Sequence, residues 1–162
     1  HMEVEKIEGA DSTPSGGLIS TRAEDYGNAP DVEFLWAVKA MKYAETHFKL
    51  LQTNDCTSLR LTRQDDELFE EFEKAFKDLK IDVINTEDIK CEGAKEAWRD
   101  FCNKFEDKVK SFNFGTLLRM DSSKDYSAEN TVLVPRAQFL AIEVARNKKG
   151  LNLVHYTHPT GQ

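Results

Sequence analysis

The sequence predicts an all-α fold, an orthogonal bundle of about four main helices, and three observations carry that expectation. Apolar residues recur at helical spacing in four segments, helix start and stop signals flank them, and the connectors between them are short. A short hairpin near residues 116–134 is the alternative arrangement.

The first helix is expected from about Pro30 to Leu51. Asn28 reads as its N-cap, Pro30 suits the first turn, and Asp31 and Glu33 complement the positive end of the helix dipole. Phe34, Val38, Met41, Phe48 and Leu51 recur at near-helical spacing, and Leu35 and Trp36 widen the stripe. That width predicts burial against more than one neighbour.

Thr62-Arg63-Gln64-Asp65 resembles a capping arrangement and opens a second helix. Leu68, Phe69, Phe72, Phe76 and Leu79 fall on one face of it. Glu67, Glu70, Glu71, Glu73 and Asp78 populate the rest, which simple solvation explains. Ile81 to Ile84 reads as a short strand or an extended connector, and Asn85 or Thr86 caps a short turn. A third helix, from about Ala94 to Ser111, places Trp98, Phe101, Cys102, Phe105 and Val109 on one stripe. Cys102 is therefore expected as a small core residue rather than a reactive thiol.

Phe112 to Arg119 reads as a turn into a short extended piece or a new helix, and Asp121 to Asn130 as a polar loop. Thr131 to Lys149 holds the last helix, and Pro135 limits where it starts. Ala137, Leu140, Ala141, Val144 and Ala145 make its apolar face. Arg146, Lys148 and Lys149 followed by Gly150 form a stop signal.

The expected organisation is a flexible tail over residues 1–25, a single helical domain over 26–152 and a second tail over 153–162. His1-Met2 reads as a cloning remnant. The 162 residues carry a formal charge of -7, which disfavours nucleic acid and anionic lipid as main partners. Three cysteines, an odd number with no Cys-x-x-Cys pair, suit a reducing, cytoplasmic location. No apolar run reaches the roughly 18 residues of a membrane span. A monomer is expected.

Enzyme chemistry is not expected, and no catalytic, cofactor-binding or metal residue is assigned. The glycines are scattered, and Gly16-Gly17 lies in the expected tail, so no phosphate-binding loop forms. His47 lies on the first helix, and His155 and His158 have only weak metal-like spacing. Acidic pairs such as Asp65-Asp66 and Glu70-Glu71 arise by chance among 29 acidic residues.

Five blocks together resemble a known family. They are Tyr26-Gly27-Asn28-Ala29-Pro30-Asp31, Leu61-Thr62-Arg63-Gln64-Asp65-Asp66, Trp98-Arg99, Asn113 to Arg119, and Pro135 to Asn147. In this order they are similar to the eukaryotic family named polysaccharide biosynthesis domain-containing protein 1. The resemblance covers about residues 26–152. It implies a small helical protein that acts as a cotranslational chaperone of translation elongation factor 1 alpha. Such a protein binds the GTP-binding domain of that factor as it emerges from the ribosome. The alternatives are the methyltransferase-like sugar or polysaccharide enzyme that the inherited family label suggests, and a structural adaptor for another client. The cofactor loop of a methyltransferase is missing from the chain.

The partner-binding candidates are Phe114, read as core or as an aromatic anchor on a surface loop, together with the polar groups Asn113, Arg119, Arg136, Gln138, Glu143, Arg146 and Asn147. Arg136, Glu143 and Asn147 share a helical stripe. An internal salt-bridge and hydrogen-bond network is the rival account of the same residues.

Overall fold

The fold is known from a computed structural model that describes residues 29–157, and the expected N-terminal tail and His158 lie outside them. Five helices and one two-stranded antiparallel sheet follow in order. They are α1 (Ala29–Thr53), α2 (Asp65–Ala75), α3 (Thr86–Lys90), α4 (Glu92–Asn103), β1 (Gly115–Arg119), β2 (Thr131–Pro135) and α5 (Arg136–Lys148). A single 3-10 turn, Leu153–His155, comes last. The fold is therefore mixed α and β, and the all-α expectation is corrected.

The hairpin overturns it. β1 and β2 pair in register from Gly115 opposite Pro135 to Arg119 opposite Thr131. The run Thr131-Val132-Leu133-Val134, three of its four residues β-branched, suits a pleated surface. Pro135 then sits at the strand's last position, where its missing N–H costs no ladder bond, and hands the chain directly to α5. Gly115 sits where space is tight: a Cβ there would lie 3.3 Å from the Trp36 ring and from Leu133, which would have to give by a few tenths of an ångström.

Local signals hold elsewhere. The α2 start is secured by Asp65, whose carboxylate accepts from the Leu61 and Thr62 amides, both at 2.8 Å. Asp65→Ala is expected to cost about 2 kcal/mol, because it strands two amide donors that the buried carboxylate satisfies. Urea denaturation measures it, and an unchanged midpoint refutes this bracing role. Asn85 caps α3 by accepting from the Glu87 amide at 3.0 Å. Ile81 to Ile84 is the extended connector; Val83 pairs with Asp121 in an isolated bridge, and the Ile84 amide donates to Met120 O. α5 ends in a Schellman turn: Gly150 has φ +76°, its amide donates to Asn147 O, and the Leu151 amide donates to Arg146 O.

Two expected helices are shorter than their apolar stripes. α2 stops at Ala75, leaving Phe76 and Leu79 in the turns beyond. α4 stops at Asn103, yet Phe105 and Val109 stay buried on the irregular chain that follows. The core joins them through stacked rings, Phe76 on Trp98 with centroids 4.0 Å apart and Phe72 beside them. Cys102 is buried, and burial pushes its thiol up to about 11, as a core cysteine requires.

α5 lies at the centre. Every residue from Arg136 to Asn147 is buried, so the helix has no solvent face over three turns. It packs on α2, α4 and both strands. The chain after Asn152 stays on the domain for a further turn where a tail is expected: the Thr157 amide donates to Gln52 O at 2.8 Å.

Candidate functional site

The polar residues of α5 create a problem that the fold must solve, because a charge enclosed by protein needs a partner. Glu143 is its centre. Arg119 Nη2 donates to both carboxylate oxygens, at 3.1 and 3.0 Å, and Arg146 Nη1 donates to Oε2 at 3.0 Å. Asn152 Nδ2 donates to Oε1 at 3.1 Å. Burial alone would raise the carboxyl, but the two guanidinium groups outweigh it and hold Glu143 well below the usual carboxylate range.

The terminal nitrogens of both guanidinium groups find further acceptors, although Arg119 Nε has none among the described residues. Arg119 also reaches the carbonyls of Ser122 and Lys124 and the Asn152 amide oxygen. Arg146 Nε donates to Ile81 O at 2.7 Å and its Nη2 to Met120 O. One cluster thus ties α5 to β1, to the 81–84 connector and to the C-terminal turn. His155 Nε2 lies 2.7 Å from the Ser122 carbonyl and 3.0 Å from Arg119 Nη1, so its ring joins the same cluster.

His47 closes the cluster from α1. Its Nδ1 is 2.7 Å from the Tyr126 hydroxyl and its Nε2 is 3.9 Å from Glu143 Oε1. A proton on Nε2 faces the carboxylate favourably, leaving Nδ1 to accept from Tyr126. Burial lowers His47 from 6.5 to about 4, with Arg119 and Arg146 adding to the effect against Glu143. Burial likewise raises Tyr126 well above its ordinary value. Both are neutral near pH 7.

The structure places most partner-binding candidates inside the domain rather than on its surface. Arg119, Arg136, Gln138, Glu143, Arg146 and Asn147 are all buried. Arg136 Nη1 donates to Lys110 O and its guanidinium lies over the Tyr43 ring. Asn147 Oδ1 accepts from Asn152 at 2.7 Å. Only Asn113 is exposed and Phe114 half-buried. The physical reason is the central place of α5: its stripe of polar groups faces other elements rather than water.

The accessible surface lies on α1, where burial was expected. Ala40, Tyr43, Ala44, His47, Leu50 and Leu51 form its inner face. Phe34, Val38 and Met41 stand on the opposite side, 68%, 43% and 59% exposed. Spaced four and then three apart, they make one stripe. Met41 and Phe48 continue it into a groove of about 540 Å³ closed by Leu117, Tyr126, Ala128 and Thr131. The sequence signal was present in the excess width of the α1 stripe, which exceeds what one inward face can hold.

Among the described residues, no helix is long and apolar enough to cross a membrane. Cys56, Cys91 and Cys102 are free thiols.

Comparison with known proteins places these features in a family. The family model described as PBDC1 protein matches residues 32–157, from the start of α1 to the C-terminal turn. Protein PBDC1 of Homo sapiens is 49% identical over 154 residues, covering 91% of this chain and 66% of that protein. The chain thus spans just under two thirds of the human relative's length. The Protein PBDC1 homolog of Schizosaccharomyces pombe is 41% identical over 141 residues, covering 83% of this chain and 96% of that one. The solution NMR structure of protein yst0336 from Saccharomyces cerevisiae has a similar fold, with TM-score 0.71 and 44% identity over 78% of this chain and 91% of that one. A match that runs the length of the described domain, with the fold preserved at that identity, means that the chain belongs to the PBDC1 protein family.

Proposed function

We propose that this protein is a protein-binding module without catalytic turnover, a cotranslational chaperone that holds the GTP-binding domain of nascent translation elongation factor 1 alpha. The resemblance of its sequence blocks motivates the client. The observation that supports binding is the exposed stripe Phe34, Val38 and Met41, which runs into the adjoining groove. A contiguous apolar strip on a soluble domain is the usual mark of a partner site. Its occupant in this reading is an apolar segment of the client that is not yet folded into place. Turnover is not expected from the Glu143 cluster, because each carboxylate oxygen already accepts from enclosed donors and cannot serve as a base.

Pull-down of elongation factor 1 alpha from a translating extract tests the reading. Phe34→Asp with Val38→Asp and Met41→Asp is expected to reduce capture about 30-fold or more, since one lost hot-spot contact is worth about 2 kcal/mol. The melting temperature should stay within a few degrees, because the three side chains stand in solvent. Capture that equals wild type removes α1 as the docking face, and no capture by wild type removes the client.

A further inference from the structure

A second cavity, remote in character from the α1 groove, is lined by cations in a chain of net negative charge. It has a volume of about 380 Å³ and lies between α3, α4, the 112–113 turn, β2 and the start of α5. Lys90, Lys95 and Arg99 stand at its mouth, and Trp98, Phe112 and Gln138 line it. No Asp or Glu lines it, although acidic residues outnumber basic ones 29 to 22 in the chain.

Among the described residues the three cations hold no ion pair. Lys104, Lys108, Lys148 and Lys149 each hold an ion pair across to α2, whereas Lys90, Lys95 and Arg99 hold none with a described residue. Lys95 and Arg99 are four apart on α4, so two like charges face one another on one helix side, an arrangement that an anion relieves. Lys90 ends α3 beside them.

One buried polar group in the wall also lacks a partner. The Trp98 indole N–H makes no hydrogen bond, although the side chain is 2% exposed. Gln138, 4% exposed, lines the same cavity. Buried donors are satisfied in most folded proteins, so an unsatisfied donor beside a cavity marks a place where a ligand completes it.

We propose that this cavity binds a short acidic peptide segment of a partner protein, with its carboxylates on Lys90, Lys95 and Arg99 and one apolar side chain seated against Trp98 and Phe112. The chemistry selects this occupant. A half-open space of about 380 Å³ accepts one large side chain with its neighbouring backbone, whose amides match Gln138. Three cations in a single mouth neutralise a few carboxylates but do not provide the extended basic track that a nucleic acid backbone requires. This inference does not rest on the α1 docking reading.

The test uses the full chain and a fluorescein-labelled synthetic peptide with a central phenylalanine flanked on each side by two acidic residues. Anisotropy is expected to report saturable binding. Affinity should fall about tenfold or more when the acids become amides, and likewise when the phenylalanine becomes alanine. Lys95→Glu with Arg99→Glu should also reduce binding at least tenfold without moving the melting temperature, since both side chains are exposed. In an amide NMR spectrum of the wild type, the peptide should shift the Trp98 indole and Gln138 side-chain signals. Binding unaffected by the charge reversal overturns the proposal, as does absence of binding at millimolar peptide. Tighter binding of a single-stranded RNA oligonucleotide than of the peptide, lost in the same variant, also overturns it. The α1 stripe variant should bind the peptide as wild type does, which separates failure here from failure of the chaperone reading.

Discussion

Replacing Glu143 with alanine is expected to cost about 3–5 kcal/mol of folding stability, because it leaves two enclosed guanidinium groups with no counter-charge. Arg119 and Arg146 are fully buried and each donates to the carboxylate at 3.0 Å. Neither can shed its proton, so neither can relieve the cost as a lysine would. Glu143→Gln keeps an acceptor oxygen and the shape of the side chain and should lose less. Converting Arg119, Glu143 and Arg146 together to methionine removes charge and partner at once and should also lose less than Glu143→Ala, since well-packed apolar replacements of buried ion pairs are often tolerated. Urea denaturation of the four proteins measures the series. A Glu143→Ala variant within about 1 kcal/mol of wild type would falsify the view that this cluster holds α5 in place.

Stability is expected to fall steeply as the pH drops from about 6.5 to 4. His47 titrates at 6.5 when unfolded and at about 4 in the enclosed cluster. Between those values the unfolded chain binds the proton and the folded chain does not, so protonation favours unfolding. The stabilisation is complete above 6.5 and lost as pH falls through about 4. A gap of about 2.5 pH units corresponds to roughly 3 kcal/mol at 1.36 kcal/mol per unit. Glu143 acts in the same direction further down: its depressed carboxyl contributes stability above the ordinary 4.5, which is lost at more acid pH. Asp65, raised by burial, opposes it, but only at the carboxylate end of the scale. The window from 6.5 to 4.5 therefore belongs to His47. Unfolding free energies at pH 7, 5.5 and 4.5 measure the slope, and His47→Gln should flatten it while leaving the decline below 4.5. A wild-type profile that is level from pH 7 to 4.5 would show that His47 charges without opening the cluster.

Much of the fold was legible where the physics is local. The apolar spacing around Leu50 and Leu51, the carboxylate that opens α2, the Asn85 cap and the Gly150 stop each depend on neighbours a few residues away. The hairpin was less legible, because five-residue strands give short patterns and their pairing joins Gly115 to Pro135 across a loop. The same limit applied to the candidate site. Arg136, Glu143 and Asn147 do share a stripe, but nothing in their spacing says whether that stripe meets water or protein. Phe34, Val38 and Met41 show the converse, a helical stripe that reads as core and is left in solvent.

The sequence by itself determined the family, the existence of the main helices and the Gly150 stop of the last, and that six polar side chains sit inside apolar segments, because motifs, caps and periodicity are written in adjacent residues. The tertiary structure alone decided that α5 is central, that Glu143 meets Arg119 from 24 residues away, and that Arg146 meets the Ile81 carbonyl from 65 residues away. Burial is a property of what packs against a face. A period fixes which side chains share that face but not which distant segment covers it.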